Sequence, residues 1–252
     1  MAAGALGSRS RTAKGVPPRG LPDYRVDLDI WGVFTPPRST EGGSGVELQV
    51  SADDRAIMDP ADVVAKAASG FRPALELIFA EQRQALGAVE ADALTSAVAL
   101  LSGSPRIFTV GAGRSGLALR MTAMRLMHLG LAVHVIGDAT TPATVSGDVL
   151  IAASGSGTTE STLLVAERAK RVGASVLAVT INRDTPLARL ADVVLRIDAA
   201  AKLDRSSTVS QQYAGSQFEQ AVLVAFDALF HALWQATGRA DMTLWQRHAN
   251  LE

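Results

Sequence analysis

RIFTVGAGRSGLALRMTAMRLMHLG, residues 106–130, has the pattern of one repeating unit of an α/β fold. A short apolar run, RIFTV, suits a buried strand, and the glycine turn GAGRSG follows it directly. The segment after the turn has helical spacing, with Leu117, Met121 and Met124 on one face and Gly130 as its terminator. The stretch therefore predicts a strand, a glycine turn and a helix, in that order.

The alternation of strands and helices continues toward the C-terminus. Strands that alternate with helices pair in parallel through right-handed crossovers. We therefore predict an α/β fold with a single doubly wound parallel sheet of flavodoxin-like order 2-1-3-4-5. Helices precede it in residues 60–103 and follow it from Tyr213 onward. The five predicted strands are residues 106–110, 131–136, 148–153, 175–181 and 193–197.

The composition limits the class of protein. The chain has 252 residues, of which 48% are hydrophobic, and its formal net charge is −1. A near-neutral chain is a poor match for the phosphate backbone of nucleic acid. The absence of cysteine excludes disulfides and cysteine-based zinc sites and fits a reducing compartment. No apolar run reaches the roughly 18 residues of a membrane-spanning helix. We expect a cytoplasmic protein that binds a small molecule, with no nucleic-acid or membrane partner.

Residues 1–57 differ from the rest of the chain. They hold five of the ten prolines and a GGSG stretch, and only YRVDLDIWGVF is apolar. We expect a largely disordered leader followed by a domain at 58–252. A docking segment centred on Trp31 and Phe34, a transit peptide and a start codon placed ahead of the true Met58 are the alternatives for the leader.

Two glycine- and hydroxyl-rich loops follow the first and third predicted strands. GAGRSG at 111–116 matches the Gly-x-Gly-x-x-Gly pattern of dinucleotide sites, and Asp138 stands where a ribose-binding acid is expected. SGSGTTES at 154–161 would lie beside it in a 2-1-3-4-5 sheet. A dinucleotide needs one such loop, whereas a single phosphomonoester fits a cradle made of both.

The predicted phosphate cradle combines side-chain hydroxyls with backbone N–H groups at two helix N-termini. Ordinary N-capping of the following helix is the alternative explanation for the hydroxyls of the second loop. The residues of the cradle are Ser115, Ser154, Ser156, Thr159, Gly113, Gly155 and Gly157.

These segments resemble the sugar isomerase domain family. The resemblance rests on GAGRSGLALRMTAMRLMHLG, TTPA, ASGSGTTES and the closing RHANLE, and it runs from about residue 60 to the C-terminus. MRLMHLG and RHANL are similar to the 6-phospho-3-hexuloisomerase branch. A departure is GSQFEQ at 215–220, where a more threonine-rich segment is typical.

The resemblance implies interconversion of D-arabino-3-hexulose 6-phosphate and fructose 6-phosphate through a 2,3-enediol. This reaction belongs to the ribulose monophosphate pathway of formaldehyde fixation or detoxification, beside a hexulose-phosphate synthase. It has no net redox change, so we expect neither a metal nor a nicotinamide cofactor. The alternatives are another sugar-phosphate isomerase of this fold, a sugar-phosphate sensor without turnover, or a nicotinamide-dependent enzyme.

The resemblance also implies the catalytic groups. Glu219 matches the family's catalytic base, although an acid that complements a helix dipole is the alternative. His248 in RHANLE is the expected proton shuttle, donated across an interface of a homotetramer, unless it belongs to a frayed terminus. Arg114 could clamp the phosphate or the enediolate, or be an ordinary surface arginine. Glu160 could be a rival base but fits a helix cap better.

The other three histidines follow apolar patterns. His128 ends a predicted helix, His134 lies within a strand and His231 lies on the long helix. We interpret these three as structural.

Overall fold

The computed structural model describes residues 59–251, and the predicted disordered leader lies outside this range. Two helices come first, a strand–helix alternation follows, and two helices end the chain. The elements are α1 (Pro60–Gly87), α2 (Ala91–Gly103), β1 (Ile107–Gly111), α3 (Gly113–His128), β2 (Val133–Val135), β3 (Val149–Ala153), α4 (Glu160–Arg171), β4 (Ser175–Thr180), α5 (Pro186–Leu190), β5 (Val193–Arg196), α6 (Ser216–Thr237) and α7 (Asp241–Trp245).

The five strands form one all-parallel sheet in the order β2-β1-β3-β4-β5, which confirms the predicted fold class. The strand bounds agree with the prediction to within one or two residues at each end. The largest difference is β2, which covers only Val133–Val135. This strand lies at the edge of the sheet and pairs only with Ile107–Thr109 of β1, whose last two residues pair with β3 alone.

Successive strand residues point to opposite faces of the sheet and feed two cores. Ile107 and Ile151 belong to the core that includes buried residues of α2, α3 and α6. Phe108 and Leu150 belong to the opposite core, which includes residues of α4 and α5. All five residues of β3 are buried, as expected for a central strand covered on both faces.

Helix α3 lies against α6. Its buried face includes Ala118, Leu119 and Leu126. The predicted stripe of Leu117, Met121 and Met124 lies elsewhere on the helix, and these side chains are 60%, 49% and 47% exposed. Helical spacing alone does not tell which of two apolar faces meets the core, and here it is the face with Ala118, Leu119 and Leu126.

No single helix among residues 59–251 is long and apolar enough to cross a membrane. α1 and α2 meet that criterion only when taken together, across a bend of 82°.

Candidate active site

The two glycine-rich loops leave neighbouring strands at the same level. Gly111 at the end of β1 pairs with Ala153 at the end of β3. The loops therefore begin side by side at the carboxyl edge of the sheet, where α/β folds place their ligands. This confirms the prediction that the two loops are neighbours.

The first loop is tight because the chain folds back on itself. A side chain at Gly116 would collide with the backbone carbonyl of Gly111. Gly113 has φ +57°, and open space surrounds its missing side chain. Ala112, the N-cap of α3, has no side-chain oxygen to accept from the helix, so the first N–H groups of α3 are without a side-chain cap. Such N–H groups suit an anion.

The hydroxyl groups of the second loop form hydrogen bonds with one another. Ser154 Oγ lies 2.8 Å from Thr159 Oγ1, and Ser156 Oγ accepts from the Thr158 hydroxyl at 2.9 Å. Thr159 is the N-cap residue of α4, yet its side chain makes no capping hydrogen bond. N-capping therefore does not account for these hydroxyls within the described structure. Ser154 is buried, whereas Ser156 is exposed.

The glycines of the second loop bring it against other elements. A side chain at Gly157, whose φ is +61°, would collide with Thr185 at the start of α5. A Cβ at Gly155 would lie 3.2 Å from the Phe218 ring. Phe218 precedes Glu219 on α6, so the second loop lies next to the helix turn that carries the predicted base.

Arg114 and Glu219 meet across the α3–α6 contact. Arg114 Nη1 lies 3.3 Å from Glu219 Oε2 and also donates to Ser216 Oγ at 3.2 Å. The arginine side chain is 58% exposed and the glutamate side chain 23%. The structure thus pairs two residues that sequence reasoning selected separately, and it leaves both accessible to a ligand.

His248 lies at the other end of α3. Its ring stacks on His128 at 5.2 Å and on Trp245 at 5.0 Å between centroids. His128 is the last residue of α3, and Arg114 is in its first turn. At a rise of about 1.5 Å per residue, the two residues are roughly 20 Å apart along the helix. Within one chain the structure does not bring His248 to Glu219.

Two arginines hold the C-terminal segment on the end of α3. Arg239 donates to the Leu129 carbonyl, and Arg247 donates to the His128 carbonyl at 3.4 Å. These carbonyls belong to the helix end, where cationic side chains are favourable. Burial, then the nearby His248 and Arg125, lower the pKa of His128.

The remaining sequence candidates have other contacts. Asp138 pairs with Arg120 at 2.9 Å, and Glu160 is exposed in the first turn of α4. His134 packs on Phe108, and His231 meets the edge of Trp234. Across residues 59–251, no group of three or more histidines and carboxylates is arranged to hold a metal ion.

Sequence reasoning missed a buried polar cluster beside the first turn of α6. It contains Glu81, Gln82 and Gln217, all of which are buried. The signal in the sequence is the pair EQ at 81–82 within the apolar pattern of α1, and a buried charge always needs partners.

Comparisons with known proteins agree with this geometry. The SIS domain family model matches residues 100–232. The 3-hexulose-6-phosphate isomerase of Mycobacterium gastri is 58% identical over 147 residues, which are 58% of this chain and 74% of that protein. The enzyme of the same name from Bacillus subtilis is 42% identical over 151 residues, covering 59% of this chain and 81% of its own.

A solved structure from Methanococcus jannaschii is also similar. It has a TM-score of 0.63 and 28% identity, and the match covers 71% of this chain and 99% of that one. A molecular function of 3-hexulose-6-phosphate isomerase was inferred for that protein from its structure. Together, the glycine loops, the sheet order and these matches show that this chain belongs to the SIS domain family and, within it, to the 3-hexulose-6-phosphate isomerases.

Proposed function

We propose that this protein interconverts D-arabino-3-hexulose 6-phosphate and fructose 6-phosphate through a 2,3-enediol. The observation that carries the proposal is the contact between Arg114 and Glu219 at 3.3 Å, beside two loops that suit a phosphate. The 58% identity to the Mycobacterium gastri enzyme supports the choice of substrate. The carbonyl moves from carbon 3 to carbon 2 without net oxidation, so the reaction needs neither a metal nor a nicotinamide.

The phosphate of the substrate binds to the two loops. The N–H groups at the start of α3 and α4 and the hydroxyls of Ser115, Ser154, Ser156 and Thr159 are the donors. Gly113, Gly155 and Gly157 complete the cradle: no side chain fills the space at Gly113, and the other two let the second loop pack against Phe218 and Thr185. One phosphate occupying both loops explains why the chain has two.

Glu219 is the base that moves the proton between carbons. Its carboxylate takes the proton from carbon 2 of the 3-ketose and returns it to carbon 3. Between these steps the enediolate carries negative charge, and the Arg114 guanidinium stabilises it electrostatically. An arginine suits this role because it stays charged throughout the working pH range.

His248 of a second subunit is the group that moves protons between the two oxygens. It protonates the oxygen on carbon 3 and accepts the proton from the oxygen on carbon 2. In one chain His248 lies near the last residue of α3 and Glu219 near the first turn of that helix, which supports a histidine supplied by the second subunit. Helix α3 offers Leu117, Met121 and Met124 as exposed apolar surface for such an assembly. We propose a homotetramer.

In the cell, the protein would act in the cytoplasm, after a hexulose-phosphate synthase that makes its substrate from formaldehyde and ribulose 5-phosphate. The lack of cysteine is compatible with a reducing compartment. The pathway would fix or remove formaldehyde.

The experiment is direct conversion. Purified protein is given enzymatically made 3-hexulose 6-phosphate with a chelator and without nucleotide, and fructose 6-phosphate is measured. Formation of fructose 6-phosphate supports the proposal. A folded protein that binds sugar phosphates but converts none would contradict it and indicate a sensor or a different isomerase.

A further inference from the structure

Glu81 lies far from Glu219 in sequence but forms a clamp on the chain segment that leads to it. Its carboxylate accepts from Ser210 Oγ at 2.6 Å, from the Gln211 N–H at 2.7 Å and from Gln212 Nε2 at 2.8 Å. The carboxylate is on α1, whereas all three donors belong to the connection between β5 and α6. One side chain thus fixes three consecutive residues.

The neighbouring glutamines of the cluster fix the first turn of α6. Gln82 Nε2 donates to the Gln217 carbonyl at 3.0 Å and to Gln220 Oε1 at 2.9 Å. Gln217 Nε2 donates to the Glu81 carbonyl at 3.3 Å, and its Oε1 accepts from the Ala200 N–H at 2.9 Å. Gln217 and Gln220 flank Glu219, so these bonds set the position and rotation of the turn that carries it.

The chain between the clamp and the base is held in an uncommon conformation. Ala214 has φ 49°, which residues with a side chain adopt rarely. The next residue is Gly215, and a Cβ there would lie 3.6 Å from Glu219 Oε1. The backbone at 214–215 therefore packs against the Glu219 carboxylate. A conformation of this kind persists only where the surroundings fix it, and the bonds to Glu81 are directly upstream.

We propose that Glu81 is a positioning residue for the isomerase reaction, which holds the Glu219 carboxylate in place through the 210–215 segment and the first turn of α6. This inference rests on the proposed role of Glu219 as the base. Proton transfer depends steeply on the distance and angle between base and carbon, so a small displacement of α6 would slow the chemical step more than it weakens binding. The phosphate loops belong to other elements and touch α6 through contacts such as that of Gly155 with Phe218, so their affinity should change less than the rate.

The test variant is Glu81→Gln. The amide keeps the size of the side chain and one acceptor oxygen, but its NH₂ group cannot accept from Ser210 or Gln212. We expect kcat to fall about 10- to 100-fold while KM changes less than about threefold. Amide hydrogen exchange of residues 213–219 should become faster in the same variant.

Asp148 provides a matched control. It is another buried carboxylate, which accepts from Arg106 Nη2 at 2.6 Å and from the Val145 N–H at 2.7 Å. It precedes β3 at the amino edge of the sheet, away from Glu219. Asp148→Asn should lower the unfolding temperature but leave kcat and the exchange of 213–219 unchanged at temperatures where the protein is folded.

A milder variant covers the case in which Glu81→Gln does not fold. Ser210→Ala removes one donor of three, and we expect a smaller fall in kcat with the same unchanged KM. Wild-type kcat in both variants would overturn the inference, as would an equal loss of kcat in Asp148→Asn. The exchange experiment needs no substrate, so it tests the clamp even if the wild-type protein converts no 3-hexulose 6-phosphate.

Discussion

The guanidinium of Arg114, in the first turn of α3, lies 3.3 Å from the carboxylate of Glu219, in the first turn of α6. The two helices begin near the same edge of the sheet, so their first turns bring a positive and a negative side chain together beside the glycine-rich loops. An ion pair that is this exposed adds at most about 1 kcal/mol to stability. Its position beside the loops points to a role in binding and chemistry.

Arg114→Ala tests that role. We expect kcat/KM to fall about 100- to 1000-fold, the usual effect of removing a group that stabilises developing negative charge. The unfolding temperature should hardly change. Arg120→Ala is the control, because Arg120 lies on the same helix and pairs with Asp138 at 2.9 Å. Similar kinetic losses in both variants would show that the arginines act only through the overall positive charge of α3. Arg114 would then have no specific role.

Ser154→Ala combined with Ser156→Ala tests the phosphate cradle. Hydrogen bonds to a charged group contribute about 1.5–3 kcal/mol each, so removing two should raise KM about 100-fold or more while kcat changes less. Ser161→Ala, an exposed serine on the first turn of α4, is the control and should behave like wild type. Unchanged affinity for fructose 6-phosphate in the double variant would refute the cradle.

Mixed subunits test whether His248 acts across an interface. Glu219→Gln and His248→Ala are prepared separately, and each alone should be nearly inactive. If the histidine comes from the partner, mixing and reassembly creates sites with both Glu219 and His248 intact, and activity returns. Persistent inactivity of the reassembled mixture would place both groups in one chain, whereas full activity of His248→Ala alone would remove His248 from the mechanism.

Gly116→Ala tests the tight first loop. The added methyl would collide with the Gly111 carbonyl, so we expect the free energy of unfolding to fall by about 1–3 kcal/mol. Gly70→Ala is the matched control, because Gly70 lies within α1 with nothing within 4 Å of its missing side chain. That variant should gain about 0.5–1 kcal/mol. Both are measured by urea unfolding.

Acid stability tests the Glu81 cluster. Burial alone would raise the pKa of Glu81, but hydrogen bonds from Ser210, Gln212 and Gln211 outweigh it and hold the pKa below the ordinary 4.5. A carboxyl whose pKa is lower in the folded state contributes stability above its unfolded pKa and loses it as the pH falls through the folded pKa. The stability of Glu81→Gln should therefore fall less than that of wild type between pH 6 and pH 3. Parallel pH curves would contradict this.

The sheet order and the two loops were predictable because both depend on local patterns. An apolar run that ends in glycines defines β1 and β3, and alternation with helices defines parallel pairing. The pairing of Arg114 with Glu219 was not predictable from spacing, because it depends on how α3 packs on α6. The position of His248 was not predictable either, because its stacking on His128 depends on the path of the chain after α6.

The exposed stripe of Leu117, Met121 and Met124 shows the same limit. The sequence reveals that α3 has an apolar stripe, but the choice of buried face depends on which side chains fit the neighbouring helix. Ala118 and Ala123 lie on the buried face together with Leu119 and Leu126, whereas Leu117, Met121 and Met124 remain exposed. Buried Glu81 was missed because α1 carries several other charged residues, and their spacing does not show which of them is buried.

The central claim is that Glu219 is the base of an isomerase that binds one sugar phosphate across two loops. The most direct measurement compares wild type with Glu219→Gln for conversion of 3-hexulose 6-phosphate and, separately, for affinity toward fructose 6-phosphate. Glu160→Gln, an exposed acid at the start of α4, is the control. The account predicts that only Glu219→Gln loses turnover while its affinity remains close to wild type. Turnover that survives in Glu219→Gln, or disappears in Glu160→Gln instead, would contradict it.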